Sequence, residues 1–394
     1  MRRLVIGSAC LAMAVGASSA RPGAAPPAPA TLEDACIDAA CKHHALDAFA
    51  AALAATRAGS LDHPLRISYF GDSLTADDHI TNALRTKLQT TLGDGGAGFV
   101  WAVVPHPYCQ HRAVARATAG EWSVHGVSTA VPGDRLLGLG GSAETSGGTI
   151  RLVPTGAVDS VDVHYLAQPH GGTLEVVADA KAIGTLATAN DRKQAKFDRL
   201  AIPAGTKRIE LRAHGRVRLF GATLEAKQGA VVDNLGIVNA TAKAFGQHNL
   251  GGHWEKQLAH RASDLVVVML GTNEAEWLHK GPGIDEHERV FDELLASVRK
   301  ASPTGSCLVV SPLDQLDWRT ENMPPRDSVP NIVEAQRRAA KKHGCAFWDV
   351  YTWMGGKGAS RSWYKRGLVV KDFQHPTAQG AEQLATALFA GLVK

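Results

Sequence analysis

Three short stretches of the chain carry residue types that together could activate a hydroxyl group for attack on a carbonyl. Gly71-Asp72-Ser73-Leu74-Thr75 offers a serine hydroxyl, Gly271-Thr272-Asn273-Glu274 a carboxamide, and Asp372-Phe373-Gln374-His375-Pro376 a carboxylate three residues before an imidazole. An imidazole can take the serine proton during attack, and a carboxylate can fix its tautomer and stabilise its charged form. A carboxamide N–H and the amides at a helix start can face the oxyanion that develops. Each stretch alone has a plainer reading. Serine in a turn caps helices, a turn asparagine satisfies its own backbone, and a loop Asp beside a His is often surface decoration. Their joint occurrence carries more weight, because each falls where a strand or loop meets a helix.

The surrounding pattern supplies the scaffold. Residues 65–70 form a short apolar run and residues 76–92 an amphipathic helix, so Ser73 sits at a strand-to-helix handover. From residue 231 the same alternation returns: apolar runs at 231–238, 265–270, 308–311 and 346–350 alternate with helical periodicity near 254–261, 286–300, 332–343 and 378–392. This order predicts an α/β fold with a mostly parallel central sheet covered by helices on both faces. In such sheets ligands gather at the carboxyl ends of the strands. Between 93 and 229 the pattern changes to short β-rich runs (149–154, 161–166, 174–178, 208–213, 217–224) after a glycine-rich stretch at 138–148, which reads as an inserted β-sandwich. The α/β unit is therefore discontinuous, 32–92 and 230–394, and its first part includes an alanine-rich segment, 33–58, spaced as a helix.

The N-terminus has the charged, apolar and small-residue parts of a secretory signal over residues 1–20, followed by an Ala/Pro linker at 21–31. The apolar stretch is short for a membrane span, and no later segment is long and apolar enough for one. Export to a periplasmic or secreted location, with no stable membrane span after cleavage, is the expectation. The formal charge of +4 includes Arg2 and Arg3, so cleavage leaves about +2, too small a bias to argue for nucleic acid. Cleavage also removes Cys10 and leaves Cys36, Cys41, Cys109, Cys307 and Cys345, enough for two bridges at most. Cys36 and Cys41 could staple a non-helical turn but would point apart on one helix, while Cys307 and Cys345 sit in apolar runs that read as buried strands. No paired C-x-x-C spacing and no H-E-x-x-H motif is present, so no metal site is expected.

These islands resemble the signature blocks of the SGNH, or GDSL, hydrolase family: Gly71-Asp72-Ser73-Leu74 its first, Gly271-Thr272-Asn273 its third, and Asp372 with His375-Pro376 its fifth. The second is matched more loosely by Gly236 within Asp233-Asn234-Leu235-Gly236-Ile237-Val238-Asn239, because the glycine often found shortly afterwards is absent and Asn239 stands nearby. The resemblance implies a three-layer SGNH-type fold with Ser73 as nucleophile, His375 as general base and acid, and Asp372 as its orienting partner. It also implies an oxyanion hole made by the Ser73 amide, the Gly236 amide and the Asn273 side chain, without metal or organic cofactor.

The large insertion between the first two blocks resembles that of exported peptidoglycan O-acetylesterases, whose inserted domain is similar to a family 35 carbohydrate-binding module. Gly96-Ala97-Gly98-Phe99, Arg112 and Trp122 fit that subgroup, and Arg112, Trp122, Tyr165 and His170 are candidate sugar contacts. The expected partner is an acetylated glycan, foremost peptidoglycan. Deacetylation of another polysaccharide, O-acetyl transfer, and lipase or thioesterase action use the same triad, and a catalytically inactive glycan-binding protein is the non-enzymatic alternative.

Overall fold

The computed structural model describes residues 27–247, 250–278 and 283–394; residues 1–20, read as a signal, lie outside them. A six-stranded sheet runs in the order Leu32–Glu33, Ala346–Trp348, Ser306–Val310, Leu265–Met269, Leu65–Gly71, Ala230–Gly236. Five of these strands are parallel, and Leu32–Glu33 joins the edge antiparallel. Their sequences, such as LVVVM and SCLVV, are almost continuously apolar because both faces are covered.

Alternation along each strand divides the core in two. Ile67, Tyr69, Val267 and Leu308 face one layer, which includes residues of the helices Asp47–Arg57, His79–Leu92 and Ala378–Leu392. Phe70, Val266, Val268 and Val309 face the other, with His253–Arg261, Ile284–Ala301 and Ser328–Lys342. The expected α/β fold with a parallel sheet is observed, and the chain order reverses between Leu65–Gly71 and Leu265–Met269, a switch point at which the strand ends diverge and leave a crevice.

Between Leu65–Gly71 and Ala230–Gly236 the chain forms a nine-stranded antiparallel sheet. Its long strand Ile209–Glu225 changes neighbours along its length. The first half pairs Gly141–Pro154 and Thr173–Ala178, and the second pairs Ser160–Ala167 and Gly96–Trp101. The sheet thereby folds over a core that includes Ile150, Val163, Val176, Leu211 and Leu219. Strand Gly96–Trp101 joins this unit to the parallel sheet. Gly98 has φ +77°, a Cβ there would lie 2.4 Å from Asp233 Oδ1, and the adjacent Phe99 amide donates to that oxygen at 2.8 Å.

Two readings are corrected. The segment 33–58 is helical only over Asp47–Arg57, because Cys36 and Cys41 form a disulfide and Asp38 gathers the amides of Ala40, Lys42 and His43 into a closed loop that a helix cannot accommodate. The end of the Ala/Pro stretch is not a free linker: Ala30 is buried and its amide donates to Ala387 O, while Ala28 O accepts from Trp353 Nε1. A second disulfide, Cys307–Cys345, ties neighbouring strands, and Cys109 is a buried free thiol.

Candidate active site

Ser73 opens the short helix Ser73–Ala76 directly after strand Leu65–Gly71. Asp72, fully buried, caps that helix by accepting the Leu74 amide at 2.9 Å. Gly71 is required by space alone, since a Cβ would stand 2.1 Å from Thr75 Oγ1. The Ser73 amide, at the first helical position, has no acceptor within the helix and is a natural donor to a bound anion.

His375 reaches this turn from the loop before helix Ala378–Leu392. Its Nε2 lies 2.8 Å from Ser73 Oγ, and its Nδ1 lies 2.8 Å from Asp372 Oδ2. The other Asp372 oxygen accepts the backbone amides of Gln374 and His375, each at 3.0 Å, and Phe373 takes φ +58° to let the loop close. Burial alone would raise the Asp372 carboxyl, but the hydrogen bonds from His375 and the two amides outweigh it and hold the group below the usual range. Burial likewise pushes His375 down, yet the bond and charge of Asp372, helped by Asp72 and Asp77, lift it above its ordinary 6.5. A base so placed can take the Ser73 proton and stabilise the resulting charge.

The three residues lie on a cleft of about 1140 Å³ that also includes Asn239 and Asn273. One N–H of the Asn273 amide is held by Ala240 O at 2.8 Å, which fixes the side chain and leaves its second N–H to offer. Gly236 is corrected as an oxyanion donor. Its amide is taken by Asn234 Oδ1 at 3.0 Å inside the fully buried strand, and the residue does not line the cleft. Asn239, three residues on, stands at the rim with φ +62°, a backbone shape that glycine adopts freely and asparagine tolerates. The missing second glycine of the motif is therefore replaced by a residue able to hold the same turn.

Neither Arg112 nor Trp122 lines the cleft. The Arg112 amide donates to Asp78 Oδ2 at 2.6 Å and its guanidinium lies 3.0 Å from His79 Nε2, so it braces the start of helix His79–Leu92. Trp122 lies in a separate groove of the antiparallel unit beside His125 and Glu144, with Nε1 donating to Ala119 O. Tyr165 is buried with its hydroxyl on Asp198, and His170 occupies an exposed turn.

Several cleft residues were not anticipated. Tyr108 and Trp277 are 70% and 53% exposed at its edge. Glu276 accepts from Arg319 at 2.7 Å and from Gln374, the neighbour of His375, at 3.2 Å. Helical spacing from Asn273 was the available signal, because positions three and four residues on share its face of helix Thr272–Trp277.

Comparison with known proteins follows the same lines. The GDSL-like Lipase/Acylhydrolase family matches residues 203–383, a span that contains Asn273, Asp372 and His375 but not Ser73. The fold is similar to that of a peptidoglycan O-acetylesterase at 25% identity and TM-score 0.74, covering 87% of this chain and 94% of that one. An acetylxylan esterase from Geobacillus stearothermophilus matches at 19% identity and TM-score 0.31, over 41% of this chain and 73% of its own. A search of curated proteins finds no match. The chain is thus similar to the SGNH, or GDSL-like, hydrolases over residues 203–383 and to a peptidoglycan O-acetylesterase in overall fold. The site is that of a serine ester hydrolase, carried on a fold that resembles a peptidoglycan O-acetylesterase over 87% of this chain.

Proposed function

We propose that this protein is an exported esterase that removes O-acetyl groups from a cell-wall glycan, foremost peptidoglycan. Ser73 Oγ attacks the acetyl carbonyl while His375 Nε2 takes its proton, and His375 then returns the proton to the departing sugar hydroxyl. Water, activated by the same imidazole, releases acetate from the acyl-serine and restores the hydroxyl. Asp372 orients His375, and the amides of Ser73 and Asn239 with the Asn273 side chain receive the oxyanion.

The observation that carries this reading is the hydrogen-bonded series Ser73, His375, Asp372 at the floor of a cleft far larger than an acetyl group and edged by exposed Tyr108 and Trp277. Aromatic faces beside a broad cleft whose lining residues are mostly of polar type suit a sugar chain better than a long acyl chain. The peptidoglycan preference rests on the likeness to an O-acetylesterase, which extends through the antiparallel unit as well. Two disulfides favour an oxidising compartment, and among the described residues no helix is long and apolar enough to cross a membrane. The antiparallel unit, read as carbohydrate-binding-module-like, would add glycan contacts in the Trp122 groove.

Acetate release from O-acetylated peptidoglycan, measured beside acetylated xylan, tests the assignment. Release fastest on peptidoglycan is expected. Preference for xylan would move the substrate to another polysaccharide, and no release from either would overturn the acetylesterase reading.

A further inference from the structure

Where the antiparallel unit meets the parallel-sheet unit, three metal-ligating side chains converge far from Ser73. Asp162 and His164, two residues apart on strand Ser160–Ala167, point to the same side, and His260 comes to meet them from helix His253–Arg261. Asp162 Oδ2 and His260 Nε2 are 2.7 Å apart, the two imidazole centroids are 5.2 Å apart, and one ligating atom from each of the three residues lies within 4.8 Å of the others.

The surroundings are unusual for a purely structural contact. His164 is 0% exposed, yet neither ring nitrogen makes a hydrogen bond of proper geometry, and Asp162 Oδ1 is also buried without one. A buried imidazole without a well-formed hydrogen bond recovers little of the solvation it loses, at a cost of about 1–3 kcal/mol. Gln257, one turn before His260, lies close enough to interact with His164, and its own amide atoms also lack well-formed bonds. Phe197 stacks flat on His260 at 3.8 Å, and Phe99 and Phe197 meet the His164 ring edge to face, fixing both planes.

We propose that Asp162, His164 and His260 form a divalent transition-metal site, best suited to Zn2+, that clamps the antiparallel unit onto the parallel-sheet unit. Two imidazoles and a carboxylate are a common zinc donor set, with water as a fourth ligand. Ligating atoms on one zinc stand roughly 3.3 Å apart, given bond lengths of about 2.0–2.1 Å. Small side-chain rotations would widen the Asp162–His260 contact and draw His164 inward. Burial pushes His164 down to about 4, so its ring is neutral and its lone pair available at ordinary pH. Asp162 stays ionised, its hydrogen bond from His260 and the nearby positive groups outweighing burial. Gln257 is placed to orient the His164 nitrogen not used by the metal. The opposing charges are Arg199, 3.7 Å from Asp162 but half exposed and with Glu225 as a second partner at 3.3 Å, and buried Arg261, which acts on His164 but is itself paired with Asp233 and Glu225, each at 2.7 Å. The exposed edge of His260 provides an entry path. The sequence reading expected no metal because these ligands lack motif spacing, His260 lying 96 positions after His164.

The test uses tag-free full chain with its disulfides intact, stripped with chelator and titrated with Zn2+ by calorimetry and with Co2+ by visible absorption. One equivalent of zinc, a rise in Tm on loading and the spectrum of four-coordinate Co2+ are expected. His260→Ala, at a partly exposed position, should fold yet weaken Zn2+ binding by more than about tenfold; His164→Ala should do the same, and Gln257→Leu should weaken it by about tenfold. A stripped wild-type chain that takes up no zinc, or stoichiometric binding that survives both histidine substitutions, would overturn the proposal.

Discussion

The parallel-sheet unit and the antiparallel unit contain the same charged residue types and use them differently. In the first, buried charges hold particular backbone groups of the catalytic rim and of the strand and helices behind it. Asp72 caps the Ser73 helix, Arg85 joins Asp78 to Val232 O, and Asp233 holds the Phe99 amide and Arg261. In the second, charges run across the strand faces in half-exposed ladders, as where Glu210 meets Arg151 and Arg212. Water screens the second set and not the first. Substitutions in the two units should therefore differ in kind: loss of chemistry or of the fold at the rim, and little change on the ladders.

The largest effect is expected for Ser73→Ala, which removes the attacking oxygen while leaving the cap at Asp72 intact. Acetate release should fall about 10⁵-fold or more in kcat with Tm unchanged. Residual Ser73-independent release at near wild-type rate would detach the chemistry from this cleft. Asp372→Asn should lower kcat by about 10⁴-fold, because His375 loses the partner that fixes its tautomer. It should also move the acid limb of kcat/KM. His375 must be neutral to act as base, and Asp372 lifts it above 6.5, so the wild-type limb lies above that value and the variant's at lower pH. A pH profile unmoved by the substitution would show that Asp372 does not act through His375.

How far the site could be read in advance follows from how local each feature is. Asp372 and His375 meet across a three-residue loop, and Ser73 is raised by a strand end, so sequence spacing sufficed for both. The amide facing the cleft was not readable, because the choice between Gly236 and Asn239 depends on the Asn234 side chain turning back onto Gly236. Strands Lys181–Ala187 and Gln194–Ala201 escaped notice because their residues are half-exposed or exposed and their apolar side chains alternate only weakly. The helix expected over 33–58 failed because local alanine content says nothing about the Cys36–Cys41 closure.

The next effect is one of stability. Glu225 accepts Arg66 at 2.9 Å and Arg261 at 2.7 Å with all three side chains buried. Glu225→Gln leaves those guanidiniums undercompensated, and a loss of about 3–5 kcal/mol is expected by denaturant unfolding. Burial would raise the Glu225 carboxyl, but Arg261 and Arg66 outweigh it and bring the group down to about 2. A lowered acid pKa means that the folded chain binds fewer protons than the unfolded one. The stabilisation is therefore complete above the ordinary 4.5 and is lost as pH falls towards 2. The variant should lack that acid-dependent portion, and superimposable stability curves between those values would remove Glu225 from the account.

The smallest effect sharpens the comparison inside the antiparallel unit itself, where one carboxylate serves two arginines of different exposure. Glu144 is 2.6 Å from Arg216, whose side chain is 44% exposed, and 2.8 Å from Arg218, which is 6% exposed and also binds Asp134. Arg216→Ala should cost less than about 1 kcal/mol, since water already solvates that guanidinium and holding it in place opposes the gain. Arg218→Ala should cost more, because it leaves Asp134 and Glu144 with Lys193 and Arg216 alone. A double-mutant cycle with Glu144→Gln measures both couplings on the same acceptor. Equal coupling energies would mean that exposure does not set the worth of these pairs, and the contrast between ladder and rim would have to rest on which backbone groups the charges hold.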